Sequence, residues 1–271
     1  MRFSRRRWLA RSVVYGGGIA GIGYGTGIEK RRLTVTRTDI PLDPRHAALD
    51  GLKLALMSDF HHDDFGDKRL VRRAVEAVNA EEVDLVLLLG DYISRSPSGI
   101  APLFDELRHL RPRLATLGIL GNHDRRQSAA IRTALEGIGA SLLVNETRDF
   151  PGFAVAGMGS YPRGAGDLAE TLRSVAPEKP VLLAWHEPDT FDHYSDPRVA
   201  LQVSGHTHGG QIRAPFYGPV LLPDYGQIYP YGHYRRDATS LFVTRGIGTL
   251  TVPARILCPP EVAMLRLVVG G

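Results

Sequence analysis

The chain has 271 residues, room for a short leading segment and one body large enough to bury a sizeable core. Its formal charge is +4, but residues 1–32 hold eight basic residues against Glu29, a balance of +7 that leaves the body at −3. A nucleic-acid groove spread over that mildly acidic body is disfavoured, and the single Cys258 excludes an intramolecular disulfide and reads as a buried structural thiol.

The head comes first. Ser4-Arg5-Arg6-Arg7-Trp8-Leu9 precedes an uncharged, glycine-rich run from Ser12 to Ile28. The pattern is that of a twin-arginine export signal with a weak hydrophobic region; a plain membrane anchor is the alternative, at the short limit for spanning a bilayer. No clear Ala-x-Ala site precedes Glu29, so the head is expected to remain. It would hold the domain on the periplasmic, extracytoplasmic face of the cytoplasmic membrane, with Lys30-Arg31-Arg32 near anionic head groups. The expected division is a head over 1–32 and one domain over 33–271.

In the body, Leu33 to Ile40 alternates apolar with polar and stops at Pro41, as an edge strand does. Leu52 to Met57 predicts a core strand, and Lys68 to Ala80 predicts a helix with Leu70, Val71, Ala74, Val75 and Val78 on one face. Val83 to Leu89 is the next strand, so a parallel crossover follows. The alternation continues with a helix over 102–110, a strand over 114–120 and a helix over 127–137. Beyond it, Ser141 to Val144 and Phe153 to Gly157 read as a pair around a turn. A short helix near Asp167 to Val175, then strands over 181–185, 199–203, 240–244 and 262–268, complete the reading.

Five of these strands end in the same kind of chemistry. The ends are Asp59-Phe60-His61, Gly90-Asp91, Gly121-Asn122-His123-Asp124, His186, and Gly205-His206-Thr207-His208. Ligands gather at the carboxyl edge of open α/β sheets, so five such ends predict one site. Residues i and i+2 of an extended segment point the same way, so Asp59 and His61 can ligate together, as can His206 and His208. Carboxylate, imidazole and amide oxygen without thiolate suit manganese, iron or zinc.

These five blocks, in this order, resemble the calcineurin-like metallophosphoesterases, and the resemblance runs from about Leu33 to the C-terminus. It implies an α/β fold, a four-layer α/β/β/α sandwich of two mixed β-sheets. It also implies two divalent metal ions, Mn2+ first and Fe or Zn as alternatives. Asp59, His61, Asp91 and His208 would hold one ion; Asp91, Asn122, His186 and His206 would hold the other, with Asp91 bridging. The implied reaction is hydrolysis of a phosphoric ester by a metal-bridging hydroxide, with His123 as general acid toward the leaving oxygen and Asp124 orienting it from behind. Weaker candidates for touching substrate are Arg125, Tyr161 and Gln211. His62, Asp63 and Asp64 read as a solvated loop, and His46, His109, His193 and His233 as structural or surface residues.

The stretch from Gly209 to Pro223, with Tyr225, Tyr229, Tyr231 and Tyr234 after it, resembles the exported or membrane-anchored bacterial phosphodiesterases of that family. Some of their relatives hydrolyse the pyrophosphate of UDP-2,3-diacylglucosamine. The expected partners are therefore a phosphate-ester substrate, lipid-linked in the first reading, the twin-arginine export machinery, and a membrane met through the head. An extracytoplasmic nucleotide or nucleic-acid phosphodiesterase, or a phosphomonoesterase, is the second reading, and a non-catalytic metal-binding scaffold a remote third. Two departures from the family pattern, around Asp59-Phe60-His61-His62 and at Tyr161-Pro162-Arg163, bear on substrate rather than on metal.

Overall fold

In a strand, successive side chains face opposite sides, and here both sides of most strands are apolar, which calls for layers above and below. The computed structural model describes residues 21, 23–63, 65–164 and 166–270. In chain order the first half contains β1 (Thr34–Leu42), β2 (Lys53–Met57), α1 (Lys68–Asn79), β3 (Leu85–Leu88), α2 (Ile100–Leu107), β4 (Ala115–Gly118), α3 (Ser128–Gly137) and β5 (Ser141–Leu142). The second half contains β6 (Glu146–Phe150), β7 (Phe153–Gly157), α4 (Leu168–Thr171), β8 (Val181–Ala184), β9 (Val199–Ser204), β10 (Arg213–Ala214), β11 (Gly218–Pro219), β12 (Gly232–Arg236), β13 (Thr239–Val243) and β14 (Glu261–Val269).

Two six-stranded sheets result, in the orders β1-β14-β2-β3-β4-β5 and β12-β13-β9-β8-β7-β6. Both are mixed: β2, β3 and β4 run parallel while β14 lies antiparallel to β2, and β7, β8 and β9 run parallel between antiparallel edges. One set of strand residues, including Leu54, Leu56, Leu85, Leu87, Leu182 and Val203, fills the space between the sheets. The alternate residues Ala55, Met57, Val86 and Leu88 face outward under α1, α2 and α3. The outer face of the second sheet is covered more thinly, by the single turn of α4 and its neighbours against Ala154, Ala156, Leu183 and Trp185. The α/β/β/α sandwich is thus present, with a fourth layer built of short pieces.

The sheets approach closely at Gly157, where an added Cβ would lie 2.3 Å from the Leu143 Cβ and 2.9 Å from the Ile119 Cγ2. Both obstacles belong to the opposite sheet's edge and neither is the far end of a flexible side chain. Gly157→Ala is therefore expected to destabilise the fold by about 1–3 kcal/mol, the usual range for overpacking. Urea unfolding followed by circular dichroism measures it, and an unchanged midpoint would contradict this contact.

Three expectations need correction. The first strand does not stop at Pro41 but runs on to Leu42, because it pairs with β14 alone and its other edge demands no N–H from proline. Ser141–Leu142 is not the partner of Phe153–Gly157: it extends the first sheet beside β4, and the hairpin partner is β6, Glu146–Phe150. That strand is polar and mostly exposed, so its alternation carried little apolar signal. Finally, β12 arises inside a glycine- and tyrosine-rich stretch that reads as loop, paired with β13.

The described part of the head lies against the body. Arg255 N–H donates to the Gly25 carbonyl at 3.1 Å, and the Glu29 carboxylate, almost fully buried, accepts from the Cys258 N–H at 2.7 Å. The Ser4-to-Leu9 motif lies outside the described residues. Among the described residues no helix is long and apolar enough to cross a membrane.

Candidate metal centre

All five ligand blocks follow strand ends, β2, β3 and β4 from one sheet and β8 and β9 from the other. Their side chains form two groups whose ligand atoms lie within 4.8 Å of one another: Asp59, His61 and His208 in the first, Asp91, His186 and His206 in the second. Asp91 joins them, because its Oδ2 is 3.5 Å from the His61 Nε2 and 3.3 Å from the His186 Nε2. The His208 Nε2 lies 3.5 Å from the Asp59 Oδ1 and 3.1 Å from the His61 Nε2. Asn122 enters the second group with its Oδ1 3.1 Å from the His206 Nδ1.

Three of the four imidazoles have one nitrogen occupied from outside, which sets the tautomer and aims the other inward, whereas the His208 Nδ1 is buried without a partner. The His186 Nδ1–H donates to the Leu89 carbonyl at 2.6 Å, leaving Nε2 inward and without an aligned partner. The His206 Nε2–H donates to the Asp224 carbonyl at 2.8 Å, leaving Nδ1 beside Asn122. The His61 Nδ1 meets the Ser94 hydroxyl at 3.1 Å. Buried lone pairs that converge without donors between them fit divalent cations, and hard oxygen mixed with imidazole fits the borderline ions.

Electrostatics agree. Burial holds His61 down to about 4 and pushes His206 and His208 below the usual imidazole range, so all three stand neutral, the form that binds metal. Burial also opposes a charge on His186, yet the adjoining Asp91 carboxylate holds it well above the usual value.

The backbone at these ligands is not extended. Asp59, His61, Asp91, His206 and His208 have φ of 53°, 42°, 53°, 71° and 52°, the left-handed region that non-glycine residues rarely enter and that clusters at functional sites. The i, i+2 argument therefore holds for a different reason where it holds at all: Asp59 and His61 share a group because left-handed turns redirect both. His206 and His208 are divided between the two groups. Close loop approach makes small residues obligatory nearby: a Cβ on Gly121 would lie 2.1 Å from the Asp91 Oδ1. That oxygen instead accepts the His123 N–H at 3.0 Å.

His123 is not in either ligand group. Its Nδ1–H donates to the Ser94 carbonyl at 3.2 Å, so a proton for transfer would sit on Nε2. Asp124 does not orient it. The buried Asp124 carboxylate accepts from the N–H groups of Asp91, Tyr92, Ile93 and Gly121, at 2.7, 3.0, 3.4 and 2.9 Å, and so ties the Gly90-Asp91 loop to the Gly121 loop. Burial and the Asp91 charge push Asp124 upward in pKa, against the four amides. The residue that orients His123 is Ser94, through a carbonyl that no sequence pattern advertises.

A cavity of about 460 Å³ opens at His123, lined also by Ser94, Arg95, Asn122, Arg125 and Arg126. Among the described residues none of these three guanidinium groups is paired with a carboxylate, so Arg125 and Arg126, which follow the Gly121-to-Asp124 turn together, are joined at the site by Arg95, which the sequence reading had not placed there. Gln211 is a correction: its Nε2 donates to the carbonyls of Leu250 and Val252 and its Oε1 accepts from Leu250 N–H, so the amide braces a loop. Tyr161 lines a separate cavity of about 510 Å³ with Trp185, His193 and Tyr194 and packs edge-on against Tyr225 at 4.8 Å. Asp63 is no solvated residue, since its carboxylate accepts from the N–H groups of Ser94, Arg95 and Ser96 and shapes the loop that holds His123. Asp64 lies outside the described residues. Cys258 is buried with its thiol on the His208 carbonyl, a structural role as expected.

Two facing mixed sheets, with two candidate metal-binding groups joined through Asp91 at their strand ends, have the architecture of a metal-dependent phosphoesterase. The chain belongs to the calcineurin-like phosphoesterase family, whose model matches residues 52–210. It is a metallophosphoesterase, a hydrolase of phosphoric ester bonds that uses divalent metal. The chain is 30% identical to the metallophosphoesterase YkuE of Bacillus subtilis over 98% of both chains. It is 29% identical to the phosphodiesterase YaeI of Escherichia coli, over 98% of this chain and 99% of that one. The UDP-2,3-diacylglucosamine pyrophosphatase LpxG of Chlamydia muridarum is 22% identical, over 88% of this chain and 90% of that one.

Proposed function

We propose that the protein is a Mn2+-dependent phosphodiesterase or pyrophosphate hydrolase of the cell envelope, acting on a lipid-linked substrate from the extracytoplasmic face. The observation that carries the diester reading is the cavity of Arg95, Arg125 and Arg126 beside His123. Unpaired guanidinium groups there suit a substrate with negative charge beyond the scissile phosphoryl group. The names of YaeI and LpxG, a diesterase and a pyrophosphatase, support the same choice. The twin-arginine pattern at Ser4 to Leu9 and the basic Lys30-Arg31-Arg32 support the location.

Asp59, His61, Asp91, Asn122, His186, His206 and His208 would hold two cations, which supply Lewis acidity toward a water and toward the phosphoryl oxygens. The chain's own groups do the rest. Arg125 and its neighbours orient the substrate's anionic flank, Ser94 fixes the His123 ring, and the His123 Nε2–H gives its proton to the departing oxygen.

The test compares bis-p-nitrophenyl phosphate with p-nitrophenyl phosphate, with Mn2+ supplied or chelated. The diester is expected to be preferred and the activity to vanish on chelation. His123→Ala is expected to lower kcat by about 10²–10⁴-fold while metal content, read by elemental analysis, stays at the wild-type level. Preference for the monoester, or an undiminished His123→Ala enzyme, would overturn this reading.

A further inference from the structure

Four large apolar side chains stand out from the surface on one short segment: Phe216, Tyr217, Val220 and Leu221, at 111%, 79%, 58% and 80% exposure. The first two form the tip of the β10–β11 hairpin and the others follow it. A soluble domain gains nothing from such a tip in water, and contiguous exposed apolar surface of this kind marks a contact.

The hairpin's position says with what. Ile212 forms a parallel bridge with Ile256, and Arg213 N–H donates to the Ile256 carbonyl at 2.9 Å. Next to Ile256, Leu257 is also exposed, and Arg255 N–H holds the Gly25 carbonyl. The hairpin base, the 255–257 loop and the described start of the head therefore form one strip. To that strip is attached the rest of the head, twenty residues with an uncharged run and an arginine cluster. Two residues beyond the exposed Ile28, Lys30 and Arg31 line a cavity of about 520 Å³ with Asp67, Lys68 and Arg69; Arg31 pairs with Asp67 at 3.2 Å and Lys68 with Glu106 at 3.5 Å, while Lys30 and Arg69 form no ion pair among the described residues, so the lining keeps a basic excess. Apolar and aromatic tips flanked by basic side chains match the chemistry of an anionic bilayer surface.

We infer that the segment from Arg213 to Leu221 is a second membrane anchor, which enters the bilayer interface beside the head and sets the metal centre against the lipid head groups. The inference rests on the envelope reading above and adds to it a surface and an orientation. The segment begins six residues after Thr207, which caps the His208 turn, and returns through Asp224, whose carbonyl orients His206. Seating the hairpin in lipid thus brings the mouth of the site to the plane in which a lipid-linked phosphodiester lies.

The experiment uses the full chain on vesicles of phosphatidylethanolamine and phosphatidylglycerol. Phe216→Cys, and as a control Arg108→Cys on the helix layer of the first sheet, carry an environment-sensitive nitrobenzoxadiazole label; the buried Cys258 stays unlabelled. The label at 216 is expected to shift to the blue on vesicle addition and to be quenched by lipids brominated in their acyl chains, and the label at 108 to do neither. Phe216→Ser combined with Leu221→Ser is expected to weaken vesicle binding by at least about tenfold and to slow cleavage of a bilayer-embedded diester, with bis-p-nitrophenyl phosphate turnover unchanged. A label at 216 that keeps its aqueous emission while the chain is vesicle-bound overturns the inference. So does a blue-shifted label before vesicles are added, which would assign the face to the chain's own head or to a second copy. The two readings fail separately: cleavage of the lipid-linked diester with an aqueous label sinks the anchor alone, and a lipid-buried label without cleavage sinks the substrate assignment alone.

Discussion

Asp91→Asn is expected to remove several kcal/mol of transition-state stabilisation, about 10³-fold or more in diester turnover, and to lower bound metal from two equivalents per chain to at most one. Both carboxylate oxygens are committed: Oδ1 accepts the His123 N–H, and Oδ2 faces His61 and His186 from opposite groups. An amide has one oxygen to offer. With its NH₂ at the Oδ1 position two donors confront each other under His123, and with its NH₂ at Oδ2 the donors face the cations. Either orientation loses half of what Asp91 does, and the negative charge goes with it. Elemental analysis of the purified variant beside the bis-p-nitrophenyl phosphate assay reads both effects. Two tightly held equivalents in Asp91→Asn would show that the carboxylate does not join the two groups.

Arg255→Met is expected to cost about 3–5 kcal/mol of stability, from several buried carbonyls left without donors at about 1 kcal/mol or more each. The side chain is fully buried and has no carboxylate partner among the described residues. Its guanidinium donates instead to the carbonyls of Arg245, Gly246, Gly248, His208 and Cys258. Burial lowers its pKa, but five carbonyl dipoles around a delocalised cation keep the charge tolerable. It therefore pins the loop after β13 to the His208 turn behind the first metal group. In a chain of this size the loss corresponds to a melting temperature lower by roughly 10 °C, read by calorimetry at fixed metal concentration. Arg255→Lys keeps the charge with fewer donors and is expected to fall between the two; a Met variant as stable as the parent would mean that water replaces the guanidinium.

The two candidate metal groups were legible because carboxylate and imidazole are side-chain types that strands do not otherwise end in, and they recur five times over. Apolar runs such as Val83 to Leu89 and Val181 to Trp185 announced the buried strands, and the 3.6-residue spacing of Leu70, Val71, Ala74, Val75 and Val78 announced α1, all of which bury as expected. What escaped notice is made of backbone. The carbonyls of Leu89, Ser94 and Asp224 orient three imidazoles, and a carbonyl leaves no trace in residue identity. Asp124 looked like a partner for its neighbour His123, yet the fold brings four amides of two loops closer to it than that ring. Gln211 looked free for substrate because nothing in its own stretch reveals the loop at Leu250 that engages it. Polar edge strands such as β6 and β12 failed for another reason, since one exposed face halves the hydrophobic signal that betrays a strand.

The first sheet also fixes when the molecule can be finished. Among the described residues β1 has β14 as its only ladder partner, and β14 lies between β1 and β2. β1 follows directly on the head, whereas β14 runs to Val269, at the far end of the chain. β1 is therefore seated only once β14 has formed, and pairing across so large a sequence separation is slow. The strand next to the head is thus held by the distant β14, so a substitution that unseats β14 also frees β1.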